Sequence, residues 1–376
     1  DMLIGVPKEI KSDEYRIGLT PESVQKLTQS GHEVMIEQNA GLGIGKDNRT
    51  YEDAGAEIVQ TREEIFQRAE MIVKVKEPQL DECALLRPDQ ILFTYLHLAP
   101  DPDQVKALLA SGCRAVAYES VKADDGSYPL LTPMSEVAGR MAVQAGATCL
   151  EKAKGGLGRL IGGVTNVDPA EVVVIGGGVV GYNSIEIAIG MQANVTVLDK
   201  SAERLDQLES IFGDKLNAVL ASEENNRECI KDADIVIGAV LVPGASAPKL
   251  ISRQLVQSMK EGSVLVDVAI DQGGCSETSR PTTHSEPTYE EEGVLHYCVA
   301  NMPGAVPMTS TYALNNATIP YVLSLANNGF NEALSLDDGF CEGLNIHTGK
   351  VTIKAVAEEH AYEYHDPIDL ISGLSQ

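Results

Sequence analysis

The chain has no tryptophan and only five phenylalanines in 376 residues. Its core must therefore rest on Val, Ile, Leu and Ala, the side chains that fill strands buried on both faces of a parallel α/β sheet. Basic residues are scarce too: 29 Lys and Arg stand against 55 Asp and Glu, a formal charge of −26. That balance excludes the positive footprint that nucleic-acid binding needs. It favours solubility and suits a saline working environment. No apolar run reaches membrane-spanning length, because charges or prolines interrupt each one. The segment from Asp1 to Lys8 has no basic region followed by an apolar stretch, so no secretory leader is expected. The seven cysteines include no C-x-x-C pair and read as reduced thiols of a cytoplasmic protein. His, Cys and carboxylates nowhere fall at metal-ligand spacing, and no metal is expected.

What is present is more telling. Val172-Val173-Val174-Ile175 runs straight into Gly176-Gly177-Gly178-Val179-Val180-Gly181, and a second apolar run from Val195 ends in Asp199. An apolar strand, then G-x-G-x-x-G, then an acidic strand end is the dinucleotide-binding fingerprint in its full context. Gly176 permits the tight turn, Gly178 lets backbone approach a pyrophosphate, and Gly181 lets the next helix pack on the strand. The pyrophosphate sits on the helix N-terminus, where free N–H groups and the dipole favour an anion. Asp199 accepts hydrogen bonds from a ribose and repels a 2′-phosphate, so the expected cofactor is NAD.

From 171 to 301, strand and helix signals alternate in doubly wound order, with strands expected at 171–175, 194–199, 216–221, 235–240, 263–269 and 296–301. Helical spacing falls at 183–192 and 201–212. An earlier α/β region carries strand candidates at 3–6, 33–37, 71–76, 91–96 and 114–118, with a helix starting at Thr20-Pro21. A long helix at 133–150, rich in Ala and Gly, bridges the two regions. Lys154 to Gly163 reads as a mobile surface loop. Residues 309–327 form a helix crossing back to the first region, and the tail from Asn328 is polar and uninformative. The fold expected is α/β with two doubly wound domains. A Rossmann domain at 131–306 is inserted into a discontinuous substrate domain of residues 1–130 and 307–376.

Four further groups lie where parallel sheets bind ligands, beyond the carboxyl ends of strands. Arg16 follows the first strand, Lys76 and His97 close two others, and Asp271 follows a strand of the cofactor region. Arg offers a fork and Lys a point charge to a substrate carboxylate. A histidine titrating near neutrality exchanges protons, and a carboxylate beside the nicotinamide activates water or stabilises a developing cation. Each also has a plain alternative: a solvated surface cation, or a buried structural histidine between Leu96 and Leu98. Glu119, at the end of a strand, is the one other acidic residue of interest.

The runs Ile4–Ile10, Arg16–Pro21, Lys74–Pro78, Tyr95–Ala99, Leu131–Arg140, Gly176–Gly181, Asp267–Gly274 and Val299–Pro307 together resemble the bacterial L-alanine dehydrogenases, over about residues 2–330. The resemblance implies reversible oxidative deamination of L-alanine to pyruvate and ammonium with NAD. It implies Arg16 and Lys76 as holders of the substrate carboxylate and His97 with Asp271 as the catalytic pair. Met134, Asn301 and Met302 are expected against the substrate, the two methionines as pocket walls. Matching cofactor positions include Ser135, Val180, Asp199, Arg204, Val240, Leu241, Val268, Ala269, Ile270, Asp271, Arg280, Val299, Ala300, Asn301 and Met302. After the third strand either Ala221 or Ser222 fills the place of a family serine, with Ser222 favoured. The resemblance also implies a homohexamer. Two rivals stand beside this reading: the NAD-binding part of a proton-translocating transhydrogenase, and a non-catalytic NAD sensor. Neither needs Arg16, Lys76, His97 and Asp271 together.

Overall fold

A computed structural model describes residues 1–242 and 246–373 and divides the chain into two units, Asp1–Met134 with Val306–Gln376, and Ser135–Ala305. Each unit is built on its own sheet.

The first unit holds β1 (Leu3–Val6), β2 (Glu33–Glu37), β3 (Glu57–Val59), β4 (Met71–Val73), β5 (Ile91–Thr94) and β6 (Arg114–Ala117). Those six strands are parallel in the order β3-β2-β1-β4-β5-β6. The second unit holds β7 (Glu171–Ile175), β8 (Asn194–Asp199), β9 (Leu216–Leu220), β10 (Ile235–Gly238), β11 (Val264–Asp267), β12 (Thr288–Glu291) and β13 (Val294–Tyr297). Its parallel strands run β9-β8-β7-β10-β11-β13, with β12 antiparallel on β13. Both sheets thus share one doubly wound order. In each, successive strands step outward in one direction and then restart on the other side of the first, so the loops there diverge and leave a crevice.

The strand cores are Val and Ile runs with almost no exposure. The helix Pro21–Gln29 starts where expected: Thr20 accepts the Ser23 N–H and Pro21 occupies the first turn. The helix Thr132–Cys149 presents Gly139 and Gly146 to its neighbours. A Cβ on Gly139 would lie 2.3 Å from the Val180 carbonyl, so only glycine permits that approach.

Several expectations need correction. The strands expected to run to 76, 96 and 118 end at Val73, Thr94 and Ala117. Lys76 and His97 therefore lie in the loops beyond. The strand expected at 263–269 ends at Asp267, where the Asp267 carboxylate caps a 3-10 helix, Val268–Gln272, that carries Asp271. The last strand is Val294–Tyr297 rather than 296–301, so Val299 to Asn301 lie in the loop after it and Met302 opens a 3-10 helix, Met302–Ala305. The segment expected to be a mobile loop begins in a 3-10 helix, Lys152–Lys154, and is tied down by Leu157 N–H to Gly262 and Gly158 N–H to Leu150. The tail is not uninformative. Its β14 (Leu344–His347) pairs antiparallel with β6, and β15 (Lys350–Val351) pairs with β14, extending the first sheet.

Candidate active site

In the first unit the order reverses between β1 and β4. Arg16 belongs to the loop after β1, Lys76 to the loop after β4, and His97 to the loop after β5. All three sit beyond the carboxyl ends, around the place where such a sheet opens.

Arg16 is 3% exposed, and the partner sequence reasoning missed is Glu14. Glu14 Oε2 accepts from Arg16 Nε at 2.8 Å and Oε1 from Nη2 at 2.6 Å. The same carboxylate accepts the Arg16 backbone N–H at 3.0 Å. One edge of the guanidinium is therefore held by the protein. Nη1 points at Met134 Sδ, 3.2 Å away, placing the expected wall residue beside the cation. Burial opposes the Arg16 charge, but Glu14 outweighs it and raises the pKa.

Lys76 is half-buried, with its Nζ 3.8 Å from Glu77 Oε2. His97 is exposed, which removes the buried-histidine alternative. Its backbone is left-handed, with φ of 51°, a region that histidine and asparagine tolerate better than most side chains. Glu119 fixes that turn by accepting the N–H groups of Leu96 and His97, at 3.0 and 3.1 Å. Burial holds the Glu119 carboxyl above the usual carboxylate range, while its bonds to His97 and Leu96 and the Lys76 charge pull the other way. Arg16 feels the charges of Glu14 and Glu9, and the nearby Tyr95 is anchored by its hydroxyl to the Leu130 carbonyl.

In the second unit the order reverses between β7 and β10. Gly176, in the turn after β7, has φ of +99°. A Cβ on Gly181 would lie 1.7 Å from the Gly176 carbonyl oxygen, so the helix Val179–Gly190 touches the loop itself. A Cβ on Gly178 would meet nothing within 4 Å. That open space fronts the first turn of the helix, whose N–H groups have no helical acceptors. Asp199 Oδ2 accepts the Gly177 N–H at 2.8 Å and Oδ1 that of Ser201 at 2.8 Å, so the loop and the end of β8 are braced together. Arg204 Nε donates to the Gly177 carbonyl at 2.6 Å. A phosphate cradle with an acid at the next strand end fits a nicotinamide nucleotide.

The other expected cofactor positions lie on several elements of the second unit. Ser135 is half-buried near the start of its helix, and Val180 is 2% exposed in the first turn after the glycines. Val240 and Leu241 follow β10 and are half-buried. Val268, Ala269 and Ile270 are buried in the turn after β11, leaving Asp271 exposed. Ser222 is exposed, and its hydroxyl caps the helix Glu223–Lys231 by accepting the Asn225 N–H at 3.0 Å. Arg280 lies with its guanidinium 3.9 Å over the Tyr289 ring. Beyond β13, Val299 and Met302 (the latter opening the 3-10 helix) are buried, Ala300 is half-buried, and Asn301 takes a left-handed φ of 59° while its carbonyl meets His284 Nε2 at 3.0 Å. Among the described residues no group of three or more His, Cys, Asp or Glu could hold a metal, and no helix is long and apolar enough to cross a membrane.

The N-terminal and C-terminal domain models of the Alanine dehydrogenase/PNT family match residues 5–138 and 142–354. The chain is 54% identical to the alanine dehydrogenase of Halomonas elongata over 98% of its own length and all of that protein. It is 52% identical to the alanine dehydrogenase of Bacillus subtilis over 96% of each chain. A solved L-alanine dehydrogenase superposes with a TM-score of 0.93 at 49% identity, covering 96% of this chain and 99% of the other. A transhydrogenase from Sinorhizobium meliloti superposes at 0.81 with 24% identity over 93% of this chain and all of that one, a likeness of fold alone. Two doubly wound sheets agree with relatives matching end to end, and the chain belongs to the alanine dehydrogenase/PNT family.

Proposed function

We propose that the chain catalyses the reversible, NAD-dependent oxidative deamination of L-alanine to pyruvate and ammonium. The observation that carries this reading is the placement of Arg16 and Lys76 on the two loops flanking the strand reversal of the first sheet, with His97 beside them on the next loop. Two cations there suit a small carboxylate, and an exposed imidazole suits proton exchange. Bound NAD supplies a hydride acceptor.

Arg16 and Lys76 hold the alanine carboxylate, and Glu14 keeps the Arg16 fork in one orientation, so the Cα–H is aimed rather than merely captured. Met134, beside Arg16, limits the side chain to a small one, with Met302 as the other wall and Asn301 against the substrate. Once the alanine ammonium has lost a proton to solvent, hydride loss from the neutral amine makes the substrate an iminium. His97 takes a proton from the attacking water and returns one to the departing amine, while the exposed Asp271 carboxylate favours the cation. Glycines 176, 178 and 181 with Ser135, Val180, Arg204, Ser222, Val240, Leu241, Val268 to Ile270, Arg280 and Val299 to Met302 hold the dinucleotide. Asp199 favours NAD over its 2′-phosphorylated form. Identities near 50% to alanine dehydrogenases, against 24% to a transhydrogenase, favour an amino-acid dehydrogenase over a hydride-coupling module.

We assign the working assembly as a homo-oligomer, hexameric by resemblance. Leu160, Val164 and Val167, each more than half exposed along one loop, supply apolar surface for association. Seven free cysteines, six of them buried, suit a reducing cytoplasm.

The test is NADH formation from L-alanine, with the reverse rate from pyruvate, ammonium and NADH. His97→Asn keeps a residue that tolerates the left-handed backbone but removes the proton carrier. It should lower kcat by roughly 10²-fold, in the range that general acid–base catalysis contributes. Absence of alanine-dependent NADH formation by the intact protein would refute the function, and a near-normal His97→Asn rate would refute the histidine's role.

A further inference from the structure

Behind Lys76 lies a cluster that the reaction does not use directly. Lys74, 1% exposed, pairs through Nζ with Glu9 Oε2 at 2.7 Å and with Glu82 Oε2 at 3.2 Å. Glu9 and Glu82 are 6% and 0% exposed. Burying such a trio is a poor route to stability, because desolvating the charges offsets most of their attraction. Burial pushes the Glu9 carboxyl upward, while Lys74 and the Lys76 N–H draw it down. The second oxygen of Glu9 shows what else the cluster does: Oε1 accepts the Lys76 backbone N–H at 2.7 Å. The other backbone polar group of Lys76 is held as well, its carbonyl accepting from the Thr94 hydroxyl at 3.0 Å.

These bonds matter because β4 has ended at Val73. Beyond it the Lys74 N–H and Val75 carbonyl still bond to Phe93 and Tyr95, but both backbone polar groups of Lys76 itself are held by side chains, Glu9 from the loop after β1 on one side and Thr94 from the end of β5 on the other. Lysine carries its charge on a flexible four-carbon stem, so the volume its ammonium searches depends on how firmly the backbone is held. We propose that Glu9, locked by Lys74, is a positioning residue for Lys76 that sets where the ammonium meets the substrate carboxylate. The proposal rests on Lys76 being part of the clamp.

Glu9→Gln leaves an oxygen for the Lys76 N–H but sets an amide against the Lys74 ammonium, loosening the anchor at nearly constant volume. It should lower kcat/KM for pyruvate about tenfold, a modest share of the loss that ångström misplacement of a substrate causes, with KM for NADH unchanged. A double-mutant cycle separates positioning from general structure. In a Lys76→Ala background there is no ammonium to place, so Glu9→Gln should change kcat/KM by less than about twofold. Thr94→Val loosens the opposite anchor and should show the same coupling to Lys76, and it decides the matter if Glu9→Gln does not fold. Equal losses in both backgrounds, or no loss in either, would overturn the role of Glu9. A Lys76→Ala enzyme with unchanged kcat/KM would instead refute the clamp itself.

Discussion

Replacing Gly178 or Gly181 with alanine adds the same methyl group to the same loop, yet the two variants should fail in different assays. At Gly181 the new carbon would lie 1.7 Å from the Gly176 carbonyl oxygen, whereas real Cβ contacts essentially never fall under 3.0 Å. Loop and helix must part by more than an ångström, and backbone rather than a flexible side chain has to yield. Overpacking of this kind costs about 1–3 kcal/mol or more, which in a unit of this size lowers Tm by roughly 2–12 °C. At Gly178 the methyl meets no protein atom within 4 Å, and the backbone, at φ −73° and ψ −156°, is open to any residue. Losing glycine at the N-cap costs about 1 kcal/mol at most, so the Gly178→Ala protein should stay folded. Its methyl instead fills the space through which a pyrophosphate reaches the helix N-terminus, and NADH affinity should fall at least tenfold, equivalent to about 1.4 kcal/mol. Thermal denaturation and NADH fluorescence titration of both variants distinguish the effects. A Gly178→Ala protein binding NADH with wild-type Kd would refute the cradle, and a Gly181→Ala protein with unchanged Tm would refute the packing argument.

Asp199→Gly should relax the preference for NAD over NADP but also weaken NAD binding, because it removes the acceptor of the Gly177 N–H. Asp199→Asn keeps an acceptor there and should therefore lose less NAD affinity; kcat/KM for both cofactors checks this, and an unchanged NAD to NADP ratio in Asp199→Gly would refute it. His296 gives a pH signature of stability. Its Nδ1 donates to the Val294 carbonyl at 2.8 Å and its Nε2 accepts from the Thr278 hydroxyl at 2.7 Å, a neutral ring fully enclosed. Burial lowers its pKa below the ordinary 6.5, although the Val294 bond and nearby acids oppose that. The unfolded chain therefore takes up a proton that the folded one refuses, and stability is lost as pH falls through about 6.5, by up to about 1.4 kcal/mol per pH unit. Chemical denaturation between pH 7.5 and 5.5 should show a shallower loss in His296→Gln than in the unsubstituted protein, and parallel curves would contradict the tautomer.

Where an apolar run had its own boundaries, the sequence was easily read. Leu3–Val6, Glu33–Glu37, Glu171–Ile175 and Asn194–Asp199 are strands with the ends expected, because a glycine, proline or charged residue closes each. The glycine loop was equally legible, since its turn, approach and packing roles each demand the absence of a side chain. Glu9, Glu14 and Glu82 were not, because a buried carboxylate and a solvated one look alike in one dimension. Lys74 held the clue: a lysine enclosed by Val73 and Val75 in a buried strand end requires a carboxylate somewhere else in the chain. The β14 pairing was hidden for a different reason. Leu344-Asn345-Ile346-His347 is a short run whose polar members alternate, and its partner lies on the far side of the entire second unit.

That distance has a consequence in time. A ribosome adding about 5–20 residues per second needs tens of seconds to proceed from β6 to the strand that covers it. Throughout that interval β6 is an open edge, with a row of unpaired N–H and C=O groups able to recruit another chain. Arg114, at the start of β6, is the charged residue stationed on that edge, and in the finished protein its guanidinium hydrogen-bonds the Asp89 carbonyl and lies 4.3 Å over the Phe330 ring. The second unit is one uninterrupted stretch of chain and can condense while the first still waits for its last strands. Nascent chains stalled before residue 344 would thus carry an incomplete first sheet, and the tail decides how long the protein remains vulnerable during its own synthesis.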